Sequence, residues 1–343
     1  MLKSSPMSGF VVPLYHPTSI LLVDDNVEFV RSLRLVLESG FECFAFHSAA
    51  EAIEFIRSEP LKLGDFVLPS APESETAMEH IKDREQRLLH LRVARLPKLF
   101  ADKSRFVRTS VVVADNAMPG MSGLDMLEAL RDVPVRKVLL SGMVEDQVAR
   151  KALSSGLIDA FFPKQDPCLH DGLIAHLRRL QIDFFLRVTQ PFQPALASGD
   201  TRFLHDLAFH DVFARFVNQR GIIEHCVLMQ PPGILGLDED GNPAILLVAD
   251  DDYRQASFEI AQAEGAPVAL LRQLVGLQTL AVFPTPSGFY SREMEASWSQ
   301  YVWPSVALGE QSWQVATIDE PEIVRQVCGS IASYAEHRQR KFN

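Results

Sequence analysis

Short apolar stretches of this chain end in side chains that could take part in phosphate or metal chemistry. Carboxylates come first, as the pair Asp24-Asp25 and, further along, as Asp115. A hydroxyl, Ser141, and an ammonium, Lys164, end two later stretches. Three carboxylates brought together repel one another without a cation, and Mg2+ suits an open site of carboxylates and water that faces a phosphoryl group. Hydroxyl and ammonium groups can hold phosphoryl oxygens, so the set predicts a site that binds Mg2+ and faces a phosphoryl group.

Taken singly, these residues have ordinary explanations. An acid pair after a strand is usually a turn or a helix cap, and a lone lysine is usually solvated. Ser141-Gly142 alone would indicate a turn. Their order favours a functional site, because each residue falls where a predicted strand ends.

Strands and helices alternate around these residues. Ile20–Val23 is a continuous apolar run, as expected for a strand that is covered on both faces of a parallel sheet. Further strands are predicted over residues 41–46, 111–113, 137–140 and 158–162, and helices over residues 27–37, 49–56, 124–130 and 146–153. This order predicts an α/β fold with a doubly wound, five-stranded parallel sheet. Ligands bind such sheets at the carboxyl ends of the strands, where the candidate residues fall.

One long segment, between Ser58 and Thr109, interrupts the alternation. It is far longer than an ordinary connection from a helix to a strand. Its first part is rich in proline, and its second part, Glu73–Leu91, has the apolar spacing of a helix. We interpret the segment as an insertion, which is either a decorative excursion or an interaction surface.

A long helix predicted over Asp171–Val188 follows the last strand of the sheet. Its residues Leu177, Leu180, Phe184 and Val188 recur at near-heptad spacing, which predicts an exposed stripe that pairs with a second copy or docks on the neighbouring domain. The Pro-rich stretch after the helix is the best domain boundary. The predicted organisation is a tail at 1–18, the sheet domain at 19–170 with its insertion at 58–109, a linker helix and boundary at 171–200, and a second domain at 201–343.

Four segments resemble the signature segments of bacterial two-component response-regulator receivers. They are Leu21–Asp25, Val113–Gly123, Val138–Ser141 and Phe161–Lys164. The resemblance covers roughly residues 19–185 apart from the insertion, and it implies a flavodoxin-like receiver fold. It also implies that a sensor histidine kinase or a phosphotransfer protein donates a phosphoryl group to Asp115.

The resemblance assigns the protein ligands of Mg2+. Asp25 and Asp115 would bind the ion directly, and Asp24 would act largely through water. The backbone carbonyl of Ala117 would complete the protein ligands.

The resemblance also assigns the contacts of the phosphoryl group. Ser141 and Lys164 would hold its oxygens, and Phe161 would be the aromatic residue that responds to phosphorylation, with a plain core or surface aromatic as an equal alternative. The sequence departs from the family pattern after the lysine, where Gln165 stands in place of the usual proline and Pro163 precedes. The loop after the fifth strand is therefore expected to have a different shape.

The second half of the chain has no catalytic signature. Strands are predicted over residues 222–229, 234–237, 244–248, 280–283 and 313–318, and helices over residues 203–217, 253–263, 267–274 and 321–340. These elements predict a smaller α+β domain, whose predicted topology resembles that of a PAS-like fold. Asp250–Asp252 is better explained as an acid-capped helix start than as a metal site. Trp298, Trp303 and Trp313 are expected to fill a core rather than to line a pocket.

Composition narrows the classes of function. The net charge is −11, and no basic helix-turn-helix is apparent, so we expect no DNA binding. The four cysteines are scattered, which argues against a zinc site and fits a reducing compartment. Neither a leader peptide nor a membrane span is evident, so the predicted location is the cytoplasm, without membrane association.

Two functions fit these observations. The leading hypothesis is a phosphorylation switch in a two-component phosphorelay, without enzymatic activity of its own, whose second domain binds an output protein or a small ligand. A homodimer formed through the long helix is part of this hypothesis. The alternative is a receiver-regulated enzyme with an unrecognised C-terminal active site.

Overall fold

A computed structural model of the protein describes residues 10–58, 96–142, 146–197, 199–285, 287–309 and 313–339. The chain divides into two compact units. The first comprises residues 17–65 and 104–190, and the second comprises residues 1–16, 66–103 and 191–343. The helix predicted over Glu73–Leu91 lies outside the described residues.

The first unit is built on a parallel sheet. The opening strand of the chain, β1 (Leu14–Tyr15), belongs to the other unit. The parallel sheet and its helices follow in the order β2 (Ser19–Val23), α1 (Val27–Leu37), β3 (Glu42–Phe46), α2 (Ala49–Ser58), β4 (Thr109–Asp115), α3 (Gly123–Ala129), β5 (Arg136–Ser141), α4 (Asp146–Ser154), β6 (Ala160–Pro163) and α5 (Leu169–Thr189). The strands lie in the order β3-β2-β4-β5-β6 and all pair in parallel. The predicted doubly wound, five-stranded parallel sheet is confirmed.

Two apolar clusters cover the two faces of this sheet. Ile20 and Leu22 of β2 join α1 and α5 in one cluster, whereas Leu21 and Val23 join α2, α3 and α4 in the other. Successive side chains of a strand point to opposite faces, so a central strand with helices on both sides is apolar at every position. This arrangement explains why β2 is an unbroken apolar run.

The long helix α5 belongs to the parallel-sheet unit. Leu177 and Leu180 pack in the cluster beneath α1, and Phe184 and Val188 are also buried, with 1% and 9% of their surface exposed. The near-heptad stripe is therefore buried within the single chain, and the expectation of an exposed stripe is wrong. A homodimer through this stripe loses the observation that suggested it.

The second unit contains an antiparallel sheet of seven strands. Besides β1, its strands and α-helices are α6 (Gln193–Leu196), α7 (Leu207–Arg220), β7 (Glu224–Met229), β8 (Pro232–Leu237), β9 (Pro243–Ala249), α8 (Asp251–Ala263), α9 (Val268–Val275), β10 (Thr279–Ala281), β11 (Val302–Leu308), β12 (Trp313–Ile318), α10 (Pro321–Cys328) and α11 (Tyr334–Gln339). The strands of this sheet lie in the order β1-β7-β8-β9-β12-β11-β10. The sheet-rich second domain agrees with the predicted α+β class. In the described part of the chain, no helix has the length and apolar character that a membrane span needs.

Sequence patterns misjudged three elements of the second unit that lie beyond residue 200. Strand β11 was not predicted, because Pro304 interrupts its pattern and proline is uncommon inside strands. The predicted helix over residues 203–217 begins later, at Leu207, because Asp206 accepts a hydrogen bond from the Ala208 amide and caps it. The single helix predicted over residues 321–340 is two helices, broken after Gly329, whose φ of 84° is not helical.

Candidate functional site

The candidate residues meet at the carboxyl edge of the parallel sheet. Asp24 follows β2, and Asp115 ends the neighbouring strand β4. The helices that follow these two strands, α1 and α3, pack on opposite faces of the sheet, so a crevice opens between the strand ends. Ser141 ends β5 and Lys164 follows β6, which places both on the same edge.

The three aspartates form one cluster. A carboxylate oxygen from each of Asp24, Asp25 and Asp115 lies within 4.8 Å of the others. Asp24 and Asp115 are buried, whereas Asp25 is exposed at the mouth of the crevice. The cluster can therefore present oxygen ligands to a cation that enters from solvent, since hard cations are held by such oxygens.

Lys164 bridges the two buried aspartates. Its Nζ lies 2.8 Å from Oδ2 of Asp24 and 2.8 Å from Oδ1 of Asp115. Burial by itself lowers the pKa of Lys164, but hydrogen bonds and the charges of the two carboxylates outweigh that effect and raise the pKa. Burial raises the pKa of Asp115, and the hydrogen bond from Lys164 opposes this rise. The ammonium thus keeps its charge beside the Asp115 carboxylate.

Two buried polar atoms beside this cluster have no hydrogen-bond partner among the described residues. One is the Ser141 hydroxyl on β5, whose residue is 1% exposed. The other is Oδ1 of Asn116, the residue directly after β4. Buried polar atoms normally have a hydrogen-bond partner, so these two unpaired atoms indicate a site that can receive another polar group.

The acid pair is held by the turn that enters α1. The Asp24 amide donates to the Phe46 carbonyl at 3.1 Å, which ties the turn to the end of β3. The Asn26 amide donates to Oδ1 of Asp24 at 2.9 Å, and Oδ1 of Asn26 accepts a hydrogen bond from the Phe29 amide at 3.1 Å. Asn26 is thus the N-cap of α1, and the cap orients the Asp24 carboxylate.

A close backbone approach fixes the loop after Asp115. The Gly123 amide donates to the Asn116 carbonyl at 3.2 Å, which brings the start of α3 against the end of β4. A Cβ atom at Gly123 would overlap the Asp115 carbonyl oxygen. Only glycine fits at this position without a shift of the Asp115 backbone.

Two further predicted site residues lie in the loop after β4 and on β6. Ala117 is in the exposed part of the loop between β4 and α3. Phe161 is half-buried on β6 and packs against the apolar cluster that includes α2, α3 and α4. Ala117 as a metal ligand and Phe161 as a reporter of phosphorylation stay predictions.

Sequence analysis missed Phe29, which contacts the site through its ring. Nζ of Lys164 lies 4.9 Å from the centroid of the Phe29 ring. A signal was present, because helical side chains lean toward the helix N-terminus and Phe29 is in the first turn after the acid pair. Nothing local, however, predicts a pairing with a residue so distant along the chain.

In the second unit, the residues weighed as metal ligands or as the lining of a pocket have structural roles. The Asp250 carboxylate accepts from the Tyr253 amide at 2.9 Å, which confirms the helix-cap interpretation. Trp303 and Trp313 are buried, and Trp298 is half-buried. Within the described ranges, Asp24, Asp25 and Asp115 are the one cluster of three or more side chains arranged to hold a metal ion.

Comparison with known proteins identifies the fold. No protein-family model and no curated sequence matches the chain. The structure of the Legionella pneumophila response regulator LqsR is similar, with a TM-score of 0.71, over 96% of this chain and 95% of that chain at 24% sequence identity. The structure of an adenylate cyclase from Rhodopirellula baltica has a TM-score of 0.34 and 20% identity, over 53% of this chain and 99% of that chain. The receiver domain of the Francisella response regulator 1452 has a TM-score of 0.31 and 17% identity, over 48% of this chain and 95% of that chain.

The chain has the fold of a response regulator. This conclusion rests on the LqsR similarity, because the other two TM-scores are too low to support an inference. The similarity covers nearly the whole chain, so the shared fold includes the second sheet as well as the parallel one. We call the parallel-sheet unit the receiver unit below. At 24% identity the similarity shows the shared fold and does not show the chemistry of the site.

Proposed function

We propose that the protein is a phosphorylation switch of a two-component system and that Asp115 is its phosphoryl acceptor. The supporting observation is the Lys164 ammonium, which bridges Asp24 and Asp115 at the carboxyl edge of a receiver fold. An ion pair that served stability alone would not require a third carboxylate and an unpaired buried hydroxyl beside it.

The reaction is the transfer of a phosphoryl group to a carboxylate. A carboxylate oxygen of Asp115 attacks phosphorus, the bond between phosphorus and the donor breaks, and the donor leaves with the bonding electrons. The product is an acyl phosphate on Asp115. Lys164 offsets negative charge on the transferring oxygens, and the Ser141 hydroxyl donates to one of them.

The donor set fits Mg2+. One ammonium against three ionised carboxylates leaves two negative charges, which a divalent cation neutralises. Asp25, Asp115, the Ala117 carbonyl and, through water, Asp24 would hold the ion, and the unpaired Oδ1 of Asn116 adds an oxygen beside them. When bound, the ion would supply charge neutralisation at the transferring phosphoryl group.

Phosphorylation would change the state of the receiver unit through local charge. The acyl phosphate carries about −2 charge where the Asp115 carboxylate carried −1, and it attracts the Ser141 hydroxyl and the Lys164 ammonium. Movement of Ser141 would free space on the sheet edge, and Phe161 on the adjacent strand would respond to it. Strands β5 and β6 are paired with Ser141 opposite Pro163, so a shift of β5 is transmitted to β6.

The proposed partners follow from the same chemistry. A sensor histidine kinase or a phosphotransfer protein would donate the phosphoryl group in the cytoplasm. The second unit would act as the output, by binding a protein or a small ligand rather than DNA. An assay of the full chain for bound metabolites and nucleotide turnover, with and without phosphorylation, distinguishes this output from the receiver-regulated enzyme.

Labelling with acetyl phosphate tests the proposal. With Mg2+ present, the protein is expected to gain one base-labile phosphoryl group by mass spectrometry, and Asp115→Asn is expected to lose it because an amide is not a nucleophile here. Asp132→Asn is the matched control, because Asp132 is an exposed carboxylate in the same unit, paired with Arg57. Equal labelling of the Asp115→Asn variant would exclude Asp115 as the acceptor.

A further inference from the structure

Phe29 gives the Lys164 ammonium a contact that does not involve a carboxylate. The distance of 4.9 Å from Nζ to the ring centroid is within the roughly 6 Å at which an aromatic face attracts a cation. Phe29 is half-buried and packs against the apolar cluster that α1 shares with α5. Core packing therefore holds the ring in place independently of the ammonium.

A closed chain of contacts connects the ring with the acid cluster. Asn26 joins them, since its amide donates to Asp24 and its side chain accepts from the Phe29 amide. Lys164 completes the circuit by contacting both the Asp24 carboxylate and the Phe29 ring. One turn of backbone thus sets the positions of the carboxylate and of the ring that together hold the ammonium.

The two kinds of contact respond differently to a divalent cation. Asp24 and Asp115 would serve both Lys164 and the metal, so a bound cation weakens their net attraction for the ammonium and also repels it. The attraction of the ring comes from its own quadrupole and does not depend on the carboxylates. The ring contact is therefore the one expected to persist when a metal is bound.

We infer that Phe29 is a positioning residue for phosphoryl transfer, whose ring keeps the Lys164 ammonium beside Asp115 while a divalent cation occupies the carboxylates. The inference rests on the proposed function, because it needs Asp115 to be the acceptor. Phe29 acts through Lys164 and takes no part in bond making or breaking.

Substitutions at position 29 test the role of the ring. Phe29→Leu keeps apolar bulk and removes the aromatic face, so labelling by acetyl phosphate at saturating Mg2+ is expected to slow by roughly 3- to 10-fold, as the strength of a partly desolvated cation–π contact implies. Phe29→Trp restores an aromatic face and is expected to label at close to the wild-type rate. Phe55→Leu is the matched control, because Phe55 is a half-buried phenylalanine of the same unit that packs on Phe44 and Phe46.

Fluorinated phenylalanines at position 29 separate the ring's electrostatics from its size. Successive fluorination weakens the negative face of the ring with little change of shape. The labelling rate is expected to fall in step with the number of fluorines. This series also provides the test if Phe29→Leu fails to fold.

A second readout reports the contact without any phosphorylation. The ε-methylene protons of Lys164, assigned with Lys164→Arg, are expected to be shifted upfield by the ring current of Phe29. This shift is expected to remain at saturating Mg2+ and to disappear in Phe29→Leu.

The outcomes separate the inference from the proposed function. Labelling of Phe29→Leu at the wild-type rate, an equal slowing in Phe55→Leu, or loss of the ring-current shift on adding Mg2+ would each overturn the inference while Asp115 remains the acceptor. Failure of the wild-type protein to label on Asp115 would overturn both.

Discussion

The buried histidine of the second sheet provides a quantitative prediction about pH. His225 on β7 is 4% exposed, and its Nε2 lies 2.9 Å from the Val12 carbonyl oxygen, which can only accept a hydrogen bond. Its ring stacks with Tyr15 and meets Phe213 edge-on. Burial lowers the pKa of His225 from 6.5 to about 4, and the hydrogen bond to Val12 opposes only part of this effect. The folded protein therefore holds His225 neutral.

The sign and size of the effect follow from linkage. Because the pKa of His225 is lower in the folded state, the unfolded chain binds more protons between pH 6.5 and 4. The contribution of His225 to the free energy of unfolding is therefore fully present above pH 6.5 and is lost as the pH falls toward 4. A difference of this size corresponds to about 3 kcal/mol in total. About 2 kcal/mol of it is expected to be lost between pH 7 and pH 5.

Urea unfolding followed by tryptophan fluorescence measures this loss of stability for the second unit. All three tryptophans of the chain lie in that unit, namely Trp298, Trp303 and Trp313. The free energy of unfolding is compared at pH 7 and pH 5 for the wild type and for His225→Gln, which keeps a donor for the Val12 carbonyl and cannot titrate. The wild type is expected to lose about 2 kcal/mol more than the variant. A variant that is less stable at both pH values leaves this comparison intact. Equal losses in the two proteins would refute the reasoning.

Two further predictions concern the receiver unit. Gly123→Ala is expected to destabilise it by about 1–3 kcal/mol and to slow acetyl phosphate labelling, since the added Cβ overlaps the Asp115 carbonyl. Unfolding followed by circular dichroism measures the loss of stability. Gly172→Ala is the control that should keep both stability and labelling, because its Cβ would make an ordinary contact. Asp25→Ala is expected to weaken Mg2+ binding more than Asp24→Ala in calorimetric titrations, because Asp25 is proposed as a direct ligand whereas Asp24 is proposed to act through water. A larger loss for Asp24→Ala would reverse these roles.

Local patterns were sufficient for the receiver sheet and for much of its site. The strand β2 is apolar at every position because helices cover both faces, and this pattern is visible in Ile20–Val23 alone. Asp24 and Lys164 directly follow β2 and β6, and Asp115 and Ser141 are the last residues of β4 and β5. Since the carboxyl ends of parallel strands share one edge, a correct list of strands is enough to bring these residues together.

Contacts between distant parts of the chain were decided by the tertiary structure alone. Periodicity describes one element and its exposed or covered face, but it does not specify which other element provides the cover. Leu180 and Phe184 therefore suggested an exposed stripe although both are buried, and Leu14–Tyr15 gave no sign of pairing with β7. The contact of Phe29 with Lys164 is of the same kind, because the fold brings together two residues whose local sequences contain no record of each other.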